Sequence, residues 1–402
     1  MERVILHCDC NSFFASVETA LHPEYRNLPM AVCGSTEERR GIVLAKNELA
    51  KQYNVETAET VFSAKKKCPN LVIAEPHYDE YAKYSRLVNE IYAKYTEEIE
   101  PFGIDESWLD VTASRRLFGS GPQIAERIRQ EVRETLGITV SIGVSFNKVF
   151  AKLGSDYKKP DAVTVISREN FRDIVYPLPV EDLLFVGRKT AEELRSLGIR
   201  TIGELAAASE SLMSARFGRM GAMLLEYARG LDTSPVTPPT DNRQKSVSNG
   251  FTFRHDLVTP DEIRIGVDYL SEEIGMRLRS MDMKCSTVSV TIKDEHLNVI
   301  QRQRPVSPPT DISSEIADSA VGIIEDSWDA GRPIRMITVC AANLVQKGSL
   351  SEQIGFFEDT KKEGREKAEK REIAVDNIKQ KYGKSSITKA SYMDSDIGIT
   401  KK

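Results

Sequence analysis

The sequence lacks paired cysteines, long apolar runs and an excess of positive charge. Its six cysteines, in a chain of 402 residues, form no Cys-x-x-Cys pair, which argues against a zinc site, a disulfide framework and a redox motif. No apolar run reaches membrane-spanning length, and the first residues lead into a strand-like segment rather than a signal peptide, so a cytoplasmic protein is expected. The formal charge of -5 gives no indication of nucleic acid, so any such binding needs local basic clusters.

Acidic residues are nevertheless present where strands are expected. Asp105 and Glu106 lie inside residues 102–110, an otherwise apolar stretch, and Asp9 ends the apolar run of residues 4–9. Strands disfavour Asp and Glu, and burying unpaired charge is costly. Three carboxylates at the ends of two strands predict a divalent-metal site, for which Mg²⁺ is the suitable ion. The alternative is an exposed hairpin end, and the adjacent pair shares one site only if the backbone turns there.

Aromatic and basic residues follow the expected strands. Phe13 and Phe14 come soon after the first acid, and either both pack in the core or one ring lies against a bound sugar. Lys152, Lys158 and Lys159 come after an apolar strand at residues 138–144, and lysine commonly binds phosphate as a point charge. The alternative for the lysines is a solvated surface.

Two further patterns are typical of DNA contacts. Residues 186–199 have the spacing of a helix-hairpin-helix, whose glycine turn exposes backbone N–H groups to a phosphate. In the stretch 301–304 the strand period places Arg302 and Arg304 on the same face, which suits a phosphate backbone. An ordinary helical hairpin and a solvated sheet face are the alternatives.

The order of strands and helices predicts a multidomain α+β protein. Strands are expected near residues 4–9, 30–33, 41–45, 138–144, 286–292, 298–304 and 336–340, and helices near 123–136, 261–279 and 312–326. Residues 234–240 indicate an extended linker. After residue 348 the chain becomes polar and charged, which predicts a largely disordered tail with a helix near residues 363–382.

Taken together, these motifs resemble the Y family of translesion DNA polymerases, especially its bacterial members, from about residue 1 to 346. The resemblance rests on residues 9–18, 104–110, 143–152 with 159–160, and the glycine-punctuated segment that follows. It implies a right-hand polymerase fold with a palm (1–10 and 78–166), small fingers (11–77), a helical thumb (167–233), a linker (234–245), an α/β little finger (246–347) and a tail (348–402).

The same resemblance implies site residues. Two Mg²⁺ ions would be held by Asp9, Asp105, Glu106 and the backbone carbonyl of Cys10. Phe14 matches the steric gate that collides with a ribose 2′-hydroxyl. The remaining implied contacts are Phe13, Lys51 and Lys159 for the deoxynucleoside triphosphate, and Gly187, Thr190, Arg302, Arg304 and Arg335 for primer-template DNA.

The fingers depart from the family pattern. The usual Tyr-Glu-Ala-Arg run is replaced by residues 47–51, where Lys51 supplies a point charge instead of the bidentate arginine fork. Glu48 in place of the tyrosine would repel a triphosphate unless it points away or pairs with Lys46 or Lys51. Phe185 also occupies a position where the helix-hairpin-helix commonly has its first glycine.

The tail contains a short motif with a different implied partner. Gln353, Ile354, Phe356 and Phe357 resemble the peptide by which bacterial polymerases bind a sliding clamp. The alternative is a peptide that packs on its own protein.

The prediction for the whole chain is a monomeric, low-fidelity DNA polymerase that does not bind a membrane. The competing hypotheses are a catalytically silent relative that acts as a DNA- or clamp-binding adaptor, and another two-metal palm enzyme such as a nucleotide cyclase.

Overall fold

The computed structural model describes residues 2–36, 39, 41–238, 244–349, 359–393 and 395–399. The chain divides into two compact units, residues 1–34 with 42–242, and residues 35–41 with 243–402. The strands β1 to β12 are Ile5–Cys10, Met30–Cys33, Val43–Lys46, Val72–Ala74, Ile99–Pro101, Glu106–Asp110, Val140–Ser145, Val163–Ile166, Ser246–Leu257, Met283–Lys293, Val299–Thr310 and Ile334–Gln346. The helices α1 to α16 are Phe13–Leu21, Glu48–Lys51, Val61–Lys67, Tyr78–Ala93, Arg115–Phe118, Gly121–Leu136, Lys148–Tyr157, Phe171–Val175, Arg188–Ser196, Ile202–Ala207, Glu210–Phe217, Arg219–Ala228, Pro260–Ser280, Ser313–Ser327, Asp359–Tyr382 and Ala390–Met393. Among these described helices, none combines the length and the hydropathy that crossing a membrane requires.

The first unit is organised around a five-stranded sheet, the palm sheet, with the strand order β5-β6-β1-β7-β8. The central strand β1 is antiparallel to β6 and β7, and this register places Asp9 directly opposite Glu106. Apolar residues of α4 and α6 pack on one face of the sheet, while α7 packs on the other. Every residue of β7 is buried because helices cover both faces.

Gly143 in β7 sets the distance between the palm sheet and α7. A Cβ at this position would lie 1.8 Å from the carbonyl oxygen of Ala151 and 2.5 Å from the backbone nitrogen of Ser155. Any side chain would therefore push α7 away from the sheet. The glycine holds the helix that carries Lys152 close to the strand that carries Asp9.

Two smaller layers complete the first unit. The strands β3, β2 and β4 form a three-stranded sheet with its own small core, in the segment predicted to be the fingers. Helices α8 to α12 surround a separate helical core that includes Leu194, Ile202 and Leu224. Both layers match the predicted order of small fingers followed by a helical thumb.

The second unit contains a four-stranded antiparallel sheet, the little-finger sheet, with the order β11-β10-β12-β9. Helices α13 and α14 cover one face, where Val288, Val290 and Ile337 are buried. The sequence predicted three of the strands and both helices. It missed β9, whose apolar alternation is interrupted at Asn249 and Gly250.

The tail is more ordered than the sequence predicted. The expected helix is present as α15, and it packs on α13 through ion pairs of Arg279 with Glu372 and with Asp376. Tyr392 and Ile397, farther along, are also buried in this unit. Acidic residues on α15 neutralise basic residues on the domain, so residues 364–399 form part of the second unit wherever the structure describes them.

Candidate active site

Strand β1 carries two polar residues on the face of the palm sheet that α7 covers. The period of a strand places His7 and Asp9 on this face, and Glu106 lies opposite Asp9 on β6. One ligand atom from each of the three side chains lies within 4.8 Å of the other two. The sequence predicted the two acids but missed His7, although its position two residues before Asp9 was the available signal.

His7 is fully buried and lies between α7 and Glu106. Its Nδ1 is 2.8 Å from the hydroxyl of Ser155, and its Nε2 is 3.2 Å from Oε2 of Glu106. Among the described residues, this Nε2 has no hydrogen-bond partner of good geometry. Burial lowers the pKa of His7, which favours the neutral imidazole.

Two lysines from the α7 region contact the acids. Lys152 Nζ donates to Oε2 of Glu106 at 2.5 Å, and Lys159 Nζ lies 2.8 Å from Oδ2 of Asp9. Burial alone would raise the pKa of Glu106, but the polar contacts with His7 and Lys152 outweigh burial and hold the pKa at about 2. Glu106 is therefore ionised at neutral pH.

Asp105 lies just before β6 rather than inside the strand, which corrects the prediction from the sequence. The backbone bends over residues 103–105, where the N–H groups of Phe102 and Gly103 both donate to the carbonyl of Glu106, at 3.0 and 3.3 Å. Burial, and then the charges of Asp9 and Glu106, raise the pKa of Asp105 to about 6. Three carboxylates thus share one small region, which is unfavourable unless positive charge is close.

The donor set of this acidic site, Asp9, Asp105 and Glu106 with His7 beside them, fits a cation. The carboxylates supply the hard oxygen ligands that a divalent ion prefers. Lysine ammonium groups already neutralise two of these carboxylates, so the structure itself requires positive charge at this position. The buried Nε2 of His7, which lacks a hydrogen bond, is a further atom that an ion could satisfy.

The two phenylalanines after β1 have different environments. Phe13 is buried in the core, so the prediction that its side chain contacts a nucleotide is wrong, because the ring packs against the sheet and Tyr81. Phe14 is only partly buried, and its ring stacks on Tyr81 with centroids 4.1 Å apart and planes inclined by 11°. The hydroxyl of Tyr81 is held in turn by the buried carboxylate of Glu18, a support that the sequence did not reveal.

The predicted phosphate contact in the fingers is already paired. Lys51 Nζ donates to Oε1 of Glu48 at 2.6 Å, and the hydroxyl of Ser12 donates to the same oxygen at 3.2 Å. Ser12 and Glu48 line a cleft of about 370 Å³, together with Asn11, Thr139 and Pro160. Glu48 therefore does pair with Lys51, as one of the sequence alternatives required.

The predicted DNA contacts of the thumb lie at the start of α9. Gly187 is the exposed N-cap residue of this helix, and no side chain caps it. Thr190 is partly exposed in the first turn. The first backbone N–H groups of a helix lack partners within the helix, so this terminus can hold an anion.

The predicted arginines of the little finger do not form one open basic face. Arg302 and Arg304 share a face, but the register aligns them with Val290 and Val288, which point toward the helices. Arg304 is paired with Asp326 of α14, so a DNA contact through Arg304 requires that ion pair to open. Arg302 is exposed, and Arg335 is partly exposed near the start of β12.

The predicted clamp peptide, with Gln353, Ile354, Phe356 and Phe357, lies outside the described residues.

Comparison with known proteins assigns most of the chain to families. The impB/mucB/samB family matches residues 8–156, and the C-terminal domain of that family matches residues 244–355. The thumb domain of DNA polymerase iota matches residues 181–232. Together the three matches extend from residue 8 to residue 355, with the thumb match between the other two.

Full-length relatives and a solved structure agree with these matches. DNA polymerase IV of Acetivibrio thermocellus is 46% identical over 388 residues, covering 96% of this chain and 96% of that protein. DNA polymerase IV of Clostridium kluyveri is 36% identical over 395 residues, covering 97% of this chain and 98% of that protein. A Y-family DNA polymerase chimera of known structure superposes with a TM-score of 0.76 and 23% identity, covering 85% of this chain and 99% of that one, which supports the fold.

Proposed function

Because the chain belongs to the impB/mucB/samB family of Y-family DNA polymerases, we propose that it is a template-directed, low-fidelity DNA polymerase for translesion synthesis. The reaction is attack of a primer 3′-hydroxyl on the α-phosphorus of a deoxynucleoside triphosphate, with release of pyrophosphate. The observation that carries this proposal is the acidic site, in which Asp9 and Glu106 meet on adjacent strands with Asp105 beside them.

Mg²⁺ is the proposed cofactor, with two ions bound by Asp9, Asp105, Glu106 and the backbone carbonyl of Cys10. When bound, the ions would lower the pKa of the primer hydroxyl and stabilise the charge on the attacked phosphate. The protein supplies the geometry, since Lys152 donates a hydrogen bond to Oε2 of Glu106 and Nε2 of His7 lies 3.2 Å from the same oxygen. Lys159, which pairs with Asp9 and Asp156, would contact the triphosphate after leaving those carboxylates.

Phe14 is the proposed steric gate. Its ring is fixed by stacking on Tyr81, which Glu18 holds by its hydroxyl. A fixed ring beside the sugar would collide with a ribose 2′-hydroxyl and admit a deoxyribose. Lys51 would contact the triphosphate only after it separates from Glu48, so nucleotide entry in this protein includes the opening of that ion pair.

The small fingers support low fidelity and tolerance of damage. The segment has only a three-stranded sheet and a small core to enclose the nascent base pair. Discrimination between bases depends on close contacts that penalise the wrong shape, and a loosely enclosing pocket lacks them. A damaged template base therefore meets little steric opposition.

Several surfaces are proposed to hold DNA. The first turn of α9, with Gly187 and Thr190, would bind a backbone phosphate, while Arg302 and Arg335 would contact DNA from the little finger. The opposite face of the little-finger sheet is not covered by helices, and there the partly exposed Thr291 and the exposed Gln303 offer a hydroxyl and an amide group. Such groups bind phosphate oxygens without reading the sequence of bases.

A sliding clamp is the proposed protein partner of residues 353–357. The proposal rests on the sequence of that peptide. Deleting these residues should abolish stimulation of primer extension by a clamp and spare extension without it. Equal loss of both activities would show that the peptide supports the fold.

We further propose a cytoplasmic monomer, consistent with six free cysteines.

Primer extension on damaged and undamaged templates tests the proposed activity. The wild-type protein with Mg²⁺ should extend a primer past a damaged base, and Glu106→Ala should abolish extension while retaining DNA binding. Glu98→Ala, an exposed acid in the segment before β5, is the matched control and should remain active. DNA binding by a wild-type protein that never extends a primer would instead indicate a catalytically silent adaptor.

A further inference from the structure

Phe185 in the thumb has an unusual backbone conformation for its residue type. Its φ is 68°, in the left-handed region that favours glycine, and its side chain is 51% exposed. A bulky residue is strained in this region, and glycine would adopt the same conformation at no steric cost. The chain thus retains an exposed phenyl ring at a position where a smaller residue would fold more easily.

Packing within the thumb does not account for this ring. The flanking residues Leu184 and Val186 pack against buried clusters, whereas Phe185 is half in solvent. Its ring contact among the described residues is with Tyr227, at a centroid distance of 6.3 Å. The strain is therefore offset by little apolar burial in the free protein, and backbone strain of this kind is concentrated at functional positions.

The ring stands next to the proposed phosphate-binding turn. Gly187 follows two residues later as the N-cap of α9, and a Cβ there would meet nothing within 4 Å, so the turn is open to solvent. Arg188 and Lys189 are exposed in the first turn of the same helix. Along a DNA strand each phosphate is flanked by deoxyriboses, so a group beside a bound phosphate faces a sugar.

Local charge gives DNA little attraction to the thumb. Residues 167–233 contain 9 basic and 10 acidic residues, and Arg188 is paired with Glu192. Affinity here cannot come mainly from phosphate neutralisation, which supplies most of the non-specific binding in basic proteins. An apolar contact at the turn would add to the affinity that its backbone N–H groups and the exposed Lys189 supply.

We propose that Phe185 is a DNA-contact residue whose ring packs against a deoxyribose next to the phosphate held by the first turn of α9. The inference rests on the proposed polymerase function and adds a specific, apolar contact to it. The contact buries an apolar ring that is half exposed in the free protein. It holds the duplex without regard to base sequence, which suits a polymerase that moves along DNA.

Phe185→Gly in the full-length protein separates this role from a structural one. The variant should bind a fluorescent primer-template about fivefold to tenfold more weakly, the range expected for the loss of one aromatic contact. Its melting temperature should be unchanged or higher, because glycine relieves the strain. Unchanged affinity would overturn the proposal, as would a fall in melting temperature that accompanies weaker binding, since loss of the thumb fold would then explain both.

Leu297→Gly is the matched control. Leu297 also has a left-handed backbone, with φ 67°, and is 61% exposed, but it lies in the turn between β10 and β11. This variant should bind DNA as the wild type does, and weakening equal to that of Phe185→Gly would refute a specific contact. If the wild-type protein has no affinity for primer-template, the polymerase function itself is disproved. If the wild-type protein binds normally and Phe185→Gly binds equally well, only the proposed role of Phe185 is disproved.

Salt dependence tests the apolar nature of the contact. The ratio of the wild-type affinity to the Phe185→Gly affinity should stay constant between about 50 and 200 mM salt. A phenyl ring carries no charge and therefore displaces no counterions from DNA. Lys189→Ala should instead reduce the slope of log affinity against log salt by up to about one. A ratio that falls steeply with salt would show that Phe185 acts through charge, contrary to the proposal.

Discussion

The palm sheet and the little-finger sheet are both mainly antiparallel and both packed against helices, but their polar side chains lie in different environments. The palm sheet is covered on both faces and holds its carboxylates against lysines, as in the pair of Glu106 and Lys152. The little-finger sheet is covered by helices on one face, and its other face carries accessible polar side chains such as Thr291 and Gln303. Charges that are shielded from water interact strongly, which suits the proposed phosphoryl transfer. Accessible uncharged side chains can contact the DNA backbone whatever the base sequence.

The largest expected effect comes from removing charge in the palm. Asp105→Asn should lower the rate of primer extension by more than about a hundredfold, because a carboxylate proposed to hold the metal ions is lost. The same change should stabilise the protein in the presence of a chelator. The folded-state pKa of Asp105 is about 6, above its ordinary value of 3.8, so keeping this group ionised in the folded protein costs free energy.

The sign of the pH dependence follows from that shift. Between about pH 4 and pH 6 the folded protein binds more protons than the unfolded chain, so the Asp105 contribution to stability falls as pH rises through this window. The stabilisation by Asp105→Asn should therefore be full above about pH 6, at most about 3 kcal/mol, and absent below about pH 4. Melting temperatures measured across this range check it, and a gain at low pH instead would contradict the assignment.

Lys152→Met tests whether activity at the acidic site depends on the ion pair between Lys152 and Glu106. Losing the ammonium group beside Glu106 should slow single-turnover extension by about tenfold to a hundredfold, the usual effect of removing a group that orients a metal ligand. Lys148→Met is the control, because Lys148 lies one turn earlier on α7 and pairs with Glu100 instead. Equal effects of the two substitutions would mean that the lysines only stabilise the fold.

Phe14→Ala tests the aromatic residue beside the acidic site. Removing the ring should raise the ratio of ribonucleotide to deoxyribonucleotide incorporation by about tenfold or more, since the barrier to the 2′-hydroxyl is steric. The affinity for primer-template should not change, because this ring is assigned to the nucleotide sugar. Competition between the two nucleotides in primer extension measures the ratio, and an unaltered ratio would rule out Phe14 as the gate.

The smallest expected effect concerns the little-finger sheet. Thr291→Glu adds a negative charge to the open face and should weaken primer-template binding about fivefold, as one repulsive contact of about 1 kcal/mol requires. Arg304→Ala should have little effect, because Arg304 is paired with Asp326 and is less exposed than Arg302 on the same face. Stronger weakening by Arg304→Ala than by Thr291→Glu would reverse the assignment of the faces.

The sequence predicted the fold class well because local signals agreed with one another. The helices near 261–279 and 312–326 are present as α13 and α14, within two residues at each end. The strand β9 was missed, because Asn249 and Gly250 interrupt its pattern and pairing with β12 compensates for them. The order of the tail was underestimated, since ion pairs such as Arg279 with Asp376 join residues far apart in the chain.

The amino-acid sequence by itself singled out Asp9, Asp105 and Glu106 as the proposed site, because acidic residues are exceptional in apolar, strand-like runs. Only the tertiary structure decided what surrounds them. The register of β1 against β6 and the approach of α7 over Gly143 bring His7 and Lys152 to Glu106. The structure likewise decided that Phe13 is buried and that Arg304 faces a helix. Side-chain surroundings depend on contacts between distant segments, and no local pattern in the sequence encodes those contacts.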